Sequence, residues 1–144
     1  MNKTLLKLKN HFINKNFNEV IKLSEEIIKN GHNIPVIINL LSASYEATGQ
    51  LNQSEKILQE ATKNFPNDIS FRVNIGRVKK KLNKFKEAEE NLLHGLKINE
   101  EDNHLLFEYG ILKLKLKYFE DSNKIFKKLC KININFPDAL LNLA

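Results

Sequence analysis

With a single cysteine, Cys130, the chain cannot build an internal disulfide framework. Proline is scarce (Pro35, Pro66 and Pro137), and no stretch alternates apolar and polar residues as a half-buried strand would. No apolar run approaches the ~18 residues that cross a bilayer. Met1 to Lys9 alternates lysine and leucine without a continuous apolar segment, so no signal peptide is expected and a cytoplasmic location is the default. Arginine is nearly missing. Lysine outnumbers it 21 to 2, with Arg72 and Arg77 the whole supply. Nucleic-acid sites lean on arginine for bidentate contacts, so the net charge of +6 reads as a solvated surface, shaped by a lysine, asparagine and isoleucine excess. Lys79, Lys80, Lys81 and Lys84 are the residues that an RNA- or anion-binding surface would use.

Catalytic patterns are missing too. There is no G-x-G-x-x-G, no phosphate loop ending in Gly-Lys-Ser/Thr and no H-E-x-x-H. His11, His32, His94 and His104 are scattered, and no two lie three or four apart to share a metal. Cys130 has lysines nearby but no base in reach along the sequence, so a structural thiol is expected. Glu100, Glu101 and Asp102 precede Asn103 at a turn and read as acidic charge at a helix N-terminus. No enzyme activity, cofactor or metal is expected.

What the chain does have is a period. Phe17, Leu51, Phe85 and Phe119 are spaced by 34, as are Leu41, Ile75, Tyr109 and Leu143. The same interval links Ser42, Gly76, Gly110 and Ala144, and also Val20, Ser54, Ala88 and Ser122. Within each period the apolar residues fall at helical spacing. Ile37, Ile38, Leu41 and Tyr45 share one helix, Thr48-Gly49-Gln50 turns, and Leu51, Ile57, Leu58 and Ala61 share the next. Pro66 then stops the helix, and Asn67-Asp68 favours a turn and an N-cap. The pattern recurs over 71–82 and 85–98, and again over 105–116 and 119–132.

These residues resemble the tetratricopeptide repeat, a 34-residue helical hairpin with the pattern W-x2-L-G-x2-Y…A-x3-F…P. The second repeat carries it as Ile38, Leu41-Ser42, Tyr45, Gly49, Leu51, Ser54, Leu58, Ala61 and Pro66. The third carries Ile75-Gly76, Ala88, Leu92 and Gly95, and the fourth carries Tyr109-Gly110, Phe119, Ser122 and Phe126. Lys79 and Lys113 replace the motif tyrosine, Arg72 replaces a bulky apolar residue and Glu100 the proline. The first helix of the first repeat is shifted by one residue. The resemblance implies an all-α αα-superhelix of four helix-turn-helix repeats plus the start of a fifth. It forms a single solenoid over 1–144, with repeats at about 1–34, 35–68, 69–102 and 103–136 and a partial fifth at 137–144. The small residues at 42, 76 and 110 would let paired helices approach, and Phe17, Leu51, Phe85 and Phe119 would plug each hairpin.

The resemblance also implies a non-catalytic scaffold that binds a protein or peptide on the concave face formed by the first helices. Val36, Asn39, Leu40 and Ala43 would line it in the second repeat. Ser70, Val73, Asn74, Arg77 and Lys81 follow in the third, and His104, Phe107, Glu108, Ile111 and Lys115 in the fourth, with Asn142 opening the next set. Asn39 and Asn74 could bond an extended backbone through both donor and acceptor. Arg77, Lys81 and Lys115 could attract acidic groups, and Phe107 and Ile111 could hold an apolar anchor. Asn39, Asn74 and Arg77 resemble part of the clamp that holds chaperone C-terminal tails, but the first repeat supplies no matching Lys/Asn pair.

The last residues, 136–144, repeat the opening of a first helix and stop at the small-residue position with no polar capping helix. A fragment of a longer protein is expected, or an open end that packs on a partner, including by self-association. Bacterial proteins with similar repeats carry a C-terminal sulfotransferase or glycosyltransferase. The alternative function is therefore an N-terminal recruitment arm of such an enzyme. The period itself makes a prediction about packing. Gly76→Leu should overpack its hairpin and lower stability by about 1–3 kcal/mol, read as a drop in the denaturant midpoint.

Overall fold

The computed structural model describes residues 1–132. The expected fifth-repeat start, Asn142 and the open C-terminal end lie outside the described residues. Eight helices and no strand occur among those residues: α1 (Asn2–Ile13), α2 (Phe17–Lys29), α3 (Pro35–Ala47), α4 (Leu51–Asn64), α5 (Ile69–Lys81), α6 (Phe85–Ile98), α7 (Asn103–Lys115) and α8 (Phe119–Ile132). None is long and apolar enough to cross a membrane.

The turn inside every hairpin has the same geometry. Lys15, Gly49, Asn83 and Lys117, again 34 apart, all adopt a left-handed backbone with φ of 58°, 77°, 60° and 65°. Each is flanked by two bonds back into the preceding helix. Asn83 N–H reaches the Lys80 carbonyl at 3.1 Å, and Lys84 N–H reaches the Lys79 carbonyl at 2.8 Å. This pair of bonds closes orphan carbonyls at a helix C-terminus. Glycine and asparagine suit the left-handed conformation; the lysines at 15 and 117 adopt it because the flanking bonds and helices leave the chain no other path. The starts of α5 and α7, each the first helix of a repeat, are capped by acid. Asp68 accepts from Ser70 N–H at 3.0 Å, and Asp102 accepts from Leu105 N–H at 2.9 Å.

Paired helices pack closely where side chains are small. A β-carbon on Gly76 would stand 2.6 Å from Leu92 Cδ2, and one on Gly110 would stand 2.7 Å from Phe126 Cζ. Ser54 and Ser122 donate across the same junctions to the carbonyls of Ser42 and Gly110, both at 3.0 Å. Gly95 serves the junction between repeats, where Leu105 Cδ2 lies 2.7 Å from its missing β-carbon. The core runs along the stack through Leu8, Val20, Ile37, Leu58, Phe71, Ile75, Leu92, Leu105, Leu112 and Phe126, all buried. Each large side chain in it removes apolar area worth about 1.5–3 kcal/mol. The expected one-residue shift of α1 is not found: it ends at Ile13, 34 residues before the end of α3, and places the buried Leu8 at the position that holds Ser42, Gly76 and Gly110 in later repeats.

One expected plug is absent. Phe17, Leu51 and Phe85 are half-buried, but Phe119 is 58% exposed. Phe85 is covered by α7, where Lys115 Nζ lies 5.4 Å over its ring and Leu112 and Leu116 share its cluster. Among the described residues no helix stands beyond α8 to do the same for Phe119.

The lysines that replace the motif tyrosine are matched by acids at a constant offset. Tyr45 donates to Glu25 of α2. Lys79, only 3% exposed, bonds Glu55 of α4 at 3.0 Å and Glu87 of α6. One period later, Lys113 pairs with Glu89 of α6. The two cross-repeat pairs, 55 with 79 and 89 with 113, are the same contact repeated. Removing Glu55 leaves the buried Lys79 with only the more exposed Glu87. Glu55→Ala is therefore expected to cost about 1.5–3 kcal/mol in denaturant unfolding, and the double substitution Glu55→Leu, Lys79→Met should recover most of that loss.

Candidate functional site

Each second helix packs on the first helix of the following repeat. Successive first helices also pack on one another, α1 on α3, α3 on α5 and α5 on α7, while no two second helices pack to a comparable extent. The stack is therefore pinched on the first-helix side, and α1, α3, α5 and α7 line the inside of the curve.

On that inner face the side chains join in one polar ladder. Ser70 Oγ donates to Asp68 Oδ1 at 2.6 Å and accepts from Asn39 Nδ2 at 2.9 Å. Asn74 Nδ2 donates to Asn39 Oδ1 at 2.7 Å, and Asn74 Oδ1 accepts from Arg77 Nη2 at 3.0 Å. The Arg77 guanidinium then grips Glu46 with two bonds, Nη2 to Oε1 at 2.9 Å and Nε to Oε2 at 3.2 Å. Lys81 Nζ adds a third at 2.8 Å to Glu46 Oε2. On the other side Arg77 Nη1 stands 4.0 Å from Glu108, which Lys80 holds at 2.8 Å.

Sequence reasoning brought Asn39, Ser70, Asn74, Arg77 and Lys81 to one face, and the structure joins all five. It also corrects their state: Asn39, Asn74 and Arg77 are turned to each other and to Glu46 instead of standing open. Phe107 and Ile111, expected to hold an apolar anchor, pack toward the core cluster of Leu106, Phe126 and Leu129. The Phe107 ring meets Phe126 edge-on at 6.1 Å. Glu108 is buried in its ion pair, Ala43 is half-buried, and Lys115 sits over Phe85. The lysines that an anion-binding surface would need are spent on carboxylates: Lys79 and Lys84 on Glu55, Lys80 on Glu108 and Lys81 on Glu46.

A pocket of about 400 Å³ opens beside the ladder, between α5 and the start of α7. Ile69 and Val73 supply its apolar wall; Ser70, Asn74, Arg77, Asp102 and His104 supply the polar one. Glu46, Lys80, Asp68, Ile69 and Asp102 were not singled out from the sequence as groove residues. The signal for most of them was present. Most of these contacts between neighbouring first helices fall one period less three residues, or plus one: 46 with 77, 39 with 70 and 77 with 108 are separated by 31, and 39 with 74 and 46 with 81 by 35, while 80 with 108 is separated by 28. Among the described residues no three His, Cys, Asp or Glu side chains cluster to hold a metal.

Residues 69–102, which span α5 and α6, match the tetratricopeptide repeat family model. A tetratricopeptide repeat is thus recognised in residues 69–102, and the helices around it take the fold of tetratricopeptide-repeat structures. The chain's eight described helices superpose on solved members of that fold at low identity. TTC0263, a thermophilic tetratricopeptide-repeat protein of Thermus thermophilus, aligns with TM-score 0.84 at 12% identity, over 99% of this chain and 78% of that one. YrrB, described as having an unusual peptide-binding site, aligns with TM-score 0.80 at 15% identity, over 93% and 69%. The first repeat domain of Spaghetti (RPAP3), solved with the HSP90 peptide SRMEEVD, aligns with TM-score 0.71 at 16% identity, over 75% and 88%. No curated protein sequence matches the chain.

The ladder's charges set a pH dependence for this repeat protein. Burial works to raise the Glu46 carboxyl, but hydrogen bonds from Arg77 and Lys81 outweigh it and hold the group below its ordinary 4.5. Glu55 is likewise lowered against burial, by Lys84 and Lys79. Arg77 is raised against burial by Glu46. A carboxyl lowered by folding stabilises fully above its unfolded value, and that stabilisation is lost as pH falls through the folded value. The stability gap between the unaltered chain and Glu46→Gln should thus be constant from about pH 6 to 8 and shrink steadily below about pH 4.5, as measured by urea midpoints across that range.

Proposed function

We propose that the chain is a non-catalytic, cytoplasmic binding module that receives an extended segment of a protein partner along the groove of α3, α5 and α7. The observation that carries this reading is the pocket between α5 and α7, with an apolar wall of Ile69 and Val73 and polar groups gathered on one side. A concave, mostly preformed cavity with a few convergent polar groups is the usual form of a recognition site. One structural relative has a peptide-binding site and another was solved with a peptide bound, which supports the same ligand class here.

The ladder gives the groove a second asset. Its bonds cross α3, α5 and α7, so the relative placement of these helices is set before a partner arrives. A preorganised site loses less ordering entropy on binding. Amide shift mapping tests the reading. Peptides selected from a random display library against the folded chain should move amides of α3, α5 and α7, and Asn74→Ala with Arg77→Ala should weaken them by about tenfold or more. Shifts confined to α2, α4 and α6 would remove the groove from the account.

A further inference from the structure

Every cation that α5 presents to the groove is already matched by a carboxylate of the chain. Glu46 fills the two-pronged face of Arg77 and takes Lys81 as well, and its side chain is only 7% exposed. Glu108 stands on the other side of Arg77 and holds Lys80. A third carboxylate, Asp102, sits in the pocket wall, where it caps α7. We propose that Glu46 occupies the place a partner's carboxylate would take, so that the groove discriminates against acidic peptides and selects a neutral extended segment bearing one aliphatic side chain.

The argument is one of exchange. A two-pronged guanidinium–carboxylate pair is among the stronger polar contacts in proteins. An incoming carboxylate would have to break the three bonds to Glu46 in order to remake the same three, for no net gain, and would leave the sheltered Glu46 carboxylate without a partner. It would also approach Asp102 and Glu108, and like charges brought together in a sheltered site oppose binding. The contacts still on offer are apolar. Ile69 and Val73 face a volume of about 400 Å³, room for a branched aliphatic side chain. This inference rests on the groove reading above and names the chemistry it accepts.

Fluorescence anisotropy at about 0.15 M salt, where distant charges are screened, is the test. The probe is fluorescein-labelled SRMEEVD, the peptide carried by one structural relative. Its control is the same peptide with acidic side chains changed to amides and the terminus amidated. The unaltered chain should bind the neutral control more tightly, by about tenfold. Glu46→Gln, or Glu46→Ser should the first fail to fold, frees Arg77 and Lys81 and should gain about tenfold for the acidic peptide alone. Adding Arg77→Ala should abolish the gain. Equal or tighter binding of the acidic peptide by the unaltered chain, a helical Glu46 variant with no gain, or a gain that survives Arg77→Ala each overturns the proposal. The unaltered chain decides even if both variants unfold. An acidic preference with amide shifts on α3 and α5 would overturn this inference alone, and shifts confined to the second helices would overturn the groove reading with it.

Discussion

The close approach of two helices at a residue with little or no side chain underlies everything else in this molecule. At Gly76 and Gly110 the facing Leu92 and Phe126 occupy the volume a β-carbon would need. At Ser42 and Gly110 the main-chain carbonyl accepts a hydroxyl from the partner helix. Because the junction returns at one interval in the second, third and fourth hairpins, these share one shape, and each can rest on the last with a similar rotation. The superhelix is the sum of those rotations. A hairpin alone would leave its apolar stripe in water; stacked, the stripes merge into one elongated interior.

Curvature follows from the same packing. Among the described residues, first helices pack on their neighbours and second helices do not to a comparable extent. The inner surface is therefore crowded with side chains from different repeats, and polar groups there must satisfy one another. Asn39, Asn74, Arg77, Glu46 and Glu108 do so in a continuous chain of contacts across three helices. In this protein the polar ladder both braces the groove and takes up its charge.

The buried lysines follow the same logic. At the motif tyrosine position, a phenol in the second repeat reaches back to an acid on the preceding helix, and lysines in the third and fourth do likewise. Taken singly, Lys79 and Lys113 look like departures that weaken packing. Taken with Glu55 and Glu89, each 24 residues earlier, they are one contact kept in register along the chain, while the Tyr45 hydroxyl reaches an acid 20 residues earlier.

The amino-acid order by itself determined the helices, the turns and the stacking, because these depend on local spacing. Phe17, Leu51, Phe85 and Phe119 mark the start of second helices whatever surrounds them, and Asp68 and Asp102 cap where the spacing puts them. It also determined which residues share the inner face. What those residues do there was decided only in three dimensions. Whether Arg77 meets a ligand or Glu46, and whether Phe107 points into the groove or against Phe126, depends on which repeat rests beside which and at what angle. Side-chain partners on separate helices are a property of the rotation between hairpins, and no single hairpin's sequence contains that rotation.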